Sequence, residues 1–511
     1  MTIDPRVYQR ALAAFHAGDR ELCFATSRFM LDENYEFGPA HLLRGLSARD
    51  TEVLLSSAYL GAACRYSSLD AEAWYNRGVS AEALGLQQLA IECYRRAHAL
   101  DPMHVGTMLN GAQLLRVNEH FEEAVMMARR LQRILPEHPA GYANEAVAAI
   151  YLGDLDRSDW AFAKAIRLSQ DPSLLLWEQH FSLLARERFA EAWQNYEHRF
   201  ACGAAVGVDD MAFRLPRWDG KHRRHVMAYG EQGLGDQVMF ASMVEELAGD
   251  CERVSLAVSP PLVDLFAASF PGVSVFPVVN GSDPDECARL ASLAGQRRAV
   301  DACIPLGSLL TRYRNKRTDF TGKAFLRPSR DATEFWQNKQ AGRKIENGHA
   351  LKVGLCWASN PAPERFFSAR RARHKTMPLS VCRPLIERLP EVDFVAVTNV
   401  PINHFVGSEA VGGRIEDVSD ALTNLDRTAA LLQGIDLLIT VDTGVAHLAG
   451  ALGVPVWILL HDHGDARWGL PGVEESYWYN SARLFWQKFP GDWDELITRV
   501  TQSLINFADV H

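Results

Sequence analysis

The stretch Asp442-Thr443-Gly444-Val445-Ala446-His447-Leu448-Ala449-Gly450-Ala451-Leu452-Gly453 decides how this chain is read. An apolar run from Ile435 to Val441, broken once by Asp436, leads into it, and a second run from Val454 to Leu460 follows. Apolar run, glycine turn, small-residue helix and apolar run make a βαβ unit, which aims the free N–H groups of a helix start at a phosphate. Asp442, Thr443 and His447 gather at that turn. The segment therefore reads as a site for a phosphorylated small molecule.

Working outward, the same alternation appears twice. One series has strands at Lys352–Trp357, Val392–Thr398, Ile435–Val441 and Val454–Leu460, with a helix at Leu379–Leu389. The other begins at His225. It has strands at Val226–Tyr229, Val254–Val258, Val273–Val278 and Ala299–Ile304, and helices at Gln237–Leu247 and Pro261–Ser269. Strands alternating with helices imply parallel sheets. The polar segment Phe335–His349 is helix-permissive and bridges the two series. Two such lobes create a cleft at the carboxyl ends of their strands, where ligands of open α/β folds bind.

The N-terminal part has a different period. Ala90, Ala124, Ser158 and Ala192 are each 34 residues apart, as are Tyr94, Ala128, Phe162 and Tyr196. Small residues at one register and bulky ones four later let two helices pack closely. The clearest copy runs from Trp74 through Gly78, Gly85, Ala90, Tyr94 and Ala97 to Pro102 and resembles the tetratricopeptide repeat. Copies start near Ala71, Val105, Pro139 and Ser173, with degenerate ones in 1–70. Trp74, Tyr94, Phe162 and Tyr196 are expected in the core. Such arrays stack into solenoids with a concave surface suited to proteins, or to self-association as a homo-oligomer. Ala201–Asp210 reads as a linker, and Phe213–Asp219 as an extended lead-in.

The bulk composition bounds the partners. The net charge of -10 over 511 residues argues against nucleic acid, which needs a basic face. Nine cysteines with no Cys-x-x-Cys spacing suit reduced thiols and a cytoplasmic location. No apolar segment reads as a signal peptide or a transmembrane span. The adjacent His461, Asp462 and His463 lack a matching cluster, so no metal site is expected. Neither a P-loop nor a Gly-x-Ser-x-Gly elbow occurs.

Three groups can carry chemistry. In Gly233-Leu234-Gly235-Asp236 the glycines permit close backbone approach, and Asp236 reads equally as an N-cap and as a catalytic carboxylate. Arg365, Arg370, Arg371, Arg373, His374 and Lys375 follow a strand, where a basic loop either clamps phosphates or stays solvated. His447 is by itself a core or cap histidine, and its position beside Asp442 and Thr443 raises the odds of ligand contact. The clusters Lys221–His225 and Arg312–Arg317 read as surface.

Val353–Pro361 (Val-Gly-Leu-Cys-Trp-Ala-Ser-Asn-Pro), His374–Leu379 (His-Lys-Thr-Met-Pro-Leu) and Asp442–Gly453 together resemble the ADP-heptose heptosyltransferases of glycosyltransferase family nine. Gly233–Asp236 fits the glycine turn of that family's first lobe. The resemblance spans roughly His225 to Leu504. With the repeats in front, the whole looks like bacterial repeat-bearing glycosyltransferases and is similar in architecture to protein O-glycosyltransferases. It implies an α plus α/β protein: a solenoid at 1–205, a linker at 206–224, and a two-lobed GT-B domain with an acceptor-side lobe at 225–345 and a nucleotide-sugar lobe at 346–511. It also implies inverting, metal-independent transfer from a nucleotide-sugar co-substrate, with no cofactor, onto an acceptor such as a protein recruited by the repeats. By resemblance Asp236 is the general base and Lys375 neutralises the diphosphate. Thr443, Gly444 and His447 bind the phosphates, Asp442 holds the turn or a donor hydroxyl, and Gly233 and Gly235 shape the donor side. The basic insertion Arg365–Arg373 departs from the pattern, so an arginine could replace Lys375. The heptosyltransferase acceptor residues do not map onto this chain. The aromatic tail from Arg467-Trp468 to Trp493 either closes over the cleft or packs as a C-terminal element. The rival reading is a repeat scaffold with a degenerate nucleotide-sugar sensor.

Overall fold

The computed structural model describes residues 3–205, 213–220, 225–279, 281, 283–296, 299–341, 351–358, 375–405, 407–411, 413–462 and 464–510. The basic loop Arg365–His374 and the cluster Lys221–Arg224 lie outside them. The chain divides into two compact units, Met1–Ser182 and Leu183–His511.

The first unit is a helical repeat array. Helices at Ala71–Ala83, Val105–Val117, Pro139–Tyr151 and Ser173–Ala185 start at the four residues where the 34-residue period places repeat starts. Each of the first three is followed by a second helix, at Gln87–Leu100, Phe121–Ile134 and Leu155–Leu168. Two further helix pairs fill Pro5–Tyr66. The period follows from close packing: a Cβ on Gly78 would meet the Tyr94 ring at 2.5 Å, and Tyr94 and Phe162 are buried. Trp74 is only partly buried, and its indole N–H donates to the Ser68 carbonyl at 2.9 Å. Between repeats, the fully buried Glu145 accepts from Arg129, Arg157 and Gln132 at 2.5 to 2.8 Å. That satisfies a charge whose burial would otherwise be costly.

The second unit contains two parallel sheets. The first has strands β1 (His225–Tyr229), β2 (Arg253–Val258), β3 (Ser274–Pro277) and β4 (Ala302–Pro305), in the order β3-β2-β1-β4. The second has β5 (Lys352–Cys356), β6 (Asp393–Ala396), β7 (Ile415–Asp417), β8 (Leu437–Val441), β9 (Val456–Leu460) and β10 (Ala482–Trp486), in the order β10-β9-β8-β5-β6-β7. All pairings are parallel. The central strands are buried along their length, as the continuous apolar runs require. The lead-in also holds: Cys303 donates to the Pro216 carbonyl and Trp218 to the Cys303 carbonyl, both at 2.9 Å, extending the first sheet beside β4.

Several elements differ from the sequence expectation. The helix expected at Gln237–Leu247 begins at Leu234 and is interrupted by a 3-10 turn at Ala241–Met243. Edge strands β7 and β10 and the helices Pro284–Ala294 and Leu425–Leu432 were not foreseen. The helix expected within Phe335–His349 starts earlier, at Arg330, and runs through Ala341, and 342–349 lies outside the described residues. The surface reading of the basic clusters holds for Arg312, Lys316 and Arg317, which are exposed, and is corrected at His225 and Arg314. His225 is buried, with its ring 3.0 Å from Ser255. Arg314 is also buried, because Glu246 takes its fork at 2.7 and 2.8 Å and two carbonyls complete it. The helix Phe189–Tyr196 keeps the repeat register in sequence, yet it belongs to the second unit. There Phe189 packs on Phe320 and Tyr477, and the Trp193 indole donates to the Arg314 carbonyl at 2.6 Å.

Candidate active site

Both sheets reverse direction of winding where the glycine turns lie. In the first, β1 separates β2 from β4; in the second, β5 and β8 are neighbours. Loops leaving the carboxyl ends of such strands splay apart and leave a crevice. The β1 loop carries Gly233, Gly235 and Asp236. The β8 loop carries Asp442, Thr443 and Gly444, and Lys375 lies on the connection after β5.

The two turns meet. A Cβ added to Gly235 would lie 3.0 Å from the Gly444 Cα and 3.1 Å from His447 Cδ2. Glycine is required there because any side chain would push the two helix starts apart. Gly233 and Gly444 are exposed at the mouth of the crevice.

Asp236 accepts the Gly233 N–H at 3.1 Å, so it does cap its own turn. Its other oxygen accepts from Arg467 at 2.5 Å. The loop beneath is anchored by Glu231, which is fully buried. It takes both arms of Arg199 at 2.7 and 2.6 Å and the Gly307 N–H at 3.0 Å. An arginine fork on a carboxylate fixes direction as well as distance.

Across the crevice, Asp442 is buried and pairs with Lys375, while its second oxygen accepts the Trp468 indole N–H at 3.0 Å. Burial alone would raise its carboxyl, but Lys375 and Arg467 outweigh that and hold it at about 2. Asp442 therefore stays ionised. His447 is buried, stacks on Trp468 at 4.8 Å and meets the Tyr479 hydroxyl at 3.1 Å. Burial, then Arg467, pushes it down to about 4, so it is neutral near pH 7.

The helix Gly444–Leu452 starts at Thr443, which makes no side-chain capping bond. Its first N–H groups are thus left for a ligand, with the helix dipole favouring an anion. Gly453, with φ of 75°, ends the helix in the left-handed conformation that glycine tolerates. Among the described residues, no three His, Cys, Asp or Glu side chains cluster as a metal site would need.

The sequence-derived residues Gly233, Gly235, Asp236, Lys375, Asp442, Thr443, Gly444 and His447 are brought together. Arg467, Asp465, Trp468 and Tyr479 join them and were not singled out as site residues. Arg467 reaches Asp465 at 3.1 Å as well as Asp236. Burial opposes its charge, but Asp465, Asp236 and Asp442 overcome this and keep it protonated. The available signal was position: Arg467-Trp468 follows β9, at the same strand ends as the other site loops.

Residues 421–486 match glycosyltransferase family 9 (heptosyltransferase). That stretch carries Asp442, Thr443, Gly444, His447 and Arg467; Asp236 and Lys375 lie outside it. Residues 71–104 match the tetratricopeptide repeat. The chain is similar to Protein FlbA of Caulobacter vibrioides, with 29% identity covering 86% of this chain and 73% of that protein. Two solved structures match about a third of this chain. The MamA protein shares 17% identity over 33% of this chain and 92% of its own, with a TM-score of 0.29. YrrB, a TPR protein described as having an unusual peptide-binding site, shares 18% identity over 32% of this chain and 86% of its own, with a TM-score of 0.31. Among the described residues no helix is long and apolar enough to cross a membrane.

Proposed function

We propose that this chain is a glycosyltransferase that moves a sugar from a nucleotide-sugar donor to an acceptor hydroxyl with inversion and without a metal. The repeat solenoid recruits that acceptor, which is a protein. The observation that carries this reading is the pairing of two unlike turns in one crevice. One presents a carboxylate, Asp236, and the other presents an uncapped helix start with Lys375 beside it.

The chemistry follows from those groups. Asp236 takes the acceptor's hydroxyl proton as the oxygen attacks the anomeric carbon opposite the leaving group. The carbon–oxygen bond to the diphosphate breaks, its electron pair going to the phosphate oxygen. Negative charge then gathers on the diphosphate. The N–H groups at Gly444 and Val445, the neutral His447 ring and the Lys375 ammonium stabilise it. Asp442, ionised and bonded to Trp468, orients Lys375 rather than competing for the proton.

The deciding experiment incubates the full chain with a panel of nucleotide sugars and an acceptor lysate, following nucleoside diphosphate release and sugar incorporation. Release with incorporation into protein supports the reading. Binding without turnover across the whole panel would instead favour a repeat scaffold with a nucleotide-sugar sensor.

A further inference from the structure

We propose that Arg467 is a second diphosphate-binding cation, held on Asp236 until a donor's phosphates displace that carboxylate, so that donor binding frees the base. The proposal rests on the glycosyltransferase reading and adds an order to it.

Arg467 sits between two carboxylates of different standing. Asp465 belongs to the same loop, is 5% exposed on its side chain, and also accepts the Arg467 backbone N–H at 3.1 Å. It is a fixed anchor that travels with the arginine. Asp236 comes from the other lobe, 231 residues away, and meets only the Nη1 arm, at 2.5 Å. Both partners of this second pair reach solvent, with side chains 25% and 21% exposed. A soluble anion can therefore approach it.

The arginine is also tied to the donor side. The next residue, Trp468, bonds to Asp442 at 3.0 Å and stacks on His447 at 4.8 Å. Asp442 in turn carries Lys375. Two cations thus flank the uncapped start of Gly444–Leu452, and one of them is taken from the other lobe by Asp236. A diphosphate offers more charge and more acceptor oxygens to a guanidinium than one carboxylate does, in the geometry an arginine fork matches. Exchanging one anion for another leaves the guanidinium neutralised throughout, while the released Asp236 carboxylate keeps the Gly233 N–H and its access to solvent.

The consequence falls on Asp236. One of its oxygens is engaged by Gly233 and the other by Arg467. While the guanidinium stays, it competes with any incoming proton for the same lone pairs. Its transfer to the phosphates releases that oxygen to the acceptor hydroxyl. The base is then free when the leaving group is in place.

The test titrates ADP, GDP and UDP separately into the full-length chain and its variants by calorimetry. Arg467→Gln should weaken whichever nucleoside diphosphate binds by about 10- to 100-fold, the range for losing a charge-assisted hydrogen bond. Asp236→Asn removes the competitor and should tighten the same nucleotide by about 3- to 10-fold, since coupling between two sites is reciprocal. Arg467→Lys keeps the charge without the fork and should fall between wild type and Gln. An arginine that only ties the lobes together predicts the reverse pattern: both variants break the same bridge and shift affinity in the same direction, which overturns the proposal. If thermal melting shows Arg467→Gln to be misfolded, Asp236→Asn decides alone, because weaker or unchanged binding overturns the idea. If neither wild type nor Asp236→Asn binds any of the three, the glycosyltransferase reading falls first and this one with it.

Discussion

The turn after β1 and the turn after β8 are built from the same parts, yet they leave opposite groups free. In the first, Asp236 reaches back to its own Gly233 N–H, so the turn satisfies itself and displays a carboxylate. In the second, Thr443 turns to Thr440 at 3.3 Å, and Asp442 goes to Lys375 and Trp468. The Thr443 side chain does not cap the helix, and among the described residues its first N–H groups are displayed instead. One strand–glycine–helix unit thus offers a base and the other an anion cradle. Where the local acid is directed decides which.

The sharpest way to break this comparison is Asp236→Asn. Sugar transfer should drop by about 10²- to 10⁴-fold, the usual worth of a general base, while nucleoside diphosphate binding persists. Full turnover in a radiolabelled-sugar assay would strip Asp236 of that role. Lys375→Ala should come next. It leaves a buried carboxylate unpaired, so stability should fall by about 3 kcal/mol in denaturant titration, and nucleotide affinity should fall with it. An unaltered dissociation constant would hand the phosphates to another cation.

The cradle also makes a pH prediction. His447 titrates at about 4 in the fold against 6.5 unfolded. Between those values the unfolded chain binds the proton and the folded one does not, so stability falls as pH drops through that window. The loss should reach about 3 kcal/mol by pH 4, and His447→Gln should remove it from urea midpoints measured across the range. The Asp442 carboxyl, held at about 2 against 3.8, adds a further loss only below about pH 4. Gly235→Ala should cost about 1 to 3 kcal/mol and slow transfer, because its methyl lands on Gly444 and His447. The smallest effect belongs to Thr443→Ala. An ordinary N-cap loss costs about 1 kcal/mol, but Thr443 makes no capping bond, so its melting midpoint should hardly move. A drop of full cap size would show that the second turn caps itself after all.

Most of this arrangement was legible because it is periodic or local. The repeat starts followed from a 34-residue spacing enforced by contacts such as Gly78 on Tyr94. The central strands followed from apolar runs. Edge strands β7 and β10 were missed because short or partly exposed strands carry a weaker run: β7 is three residues long, and β10 begins with the partly exposed Ala482 and exposed Arg483. The site was half legible for the same reason. Gly235 and Gly444 announce themselves as turns, whereas Arg467 and Glu231 matter only through partners far away in sequence. Arg314 misled because a buried guanidinium and a solvated one look alike until Glu246 is seen beside it.

The ring of Tyr479 has one more implication. A methyl at Gly450 would sit 2.3 Å from it, so the phenol is pressed flat against the back of the helix whose front end faces the ligand. Tyr479 lies beyond β9 on the final stretch of chain, and it also touches His447. The aromatic tail is therefore a wedge that seats the cradle from behind. Trimming that ring to a smaller side chain would loosen anion recognition while leaving every group that faces the ligand in place.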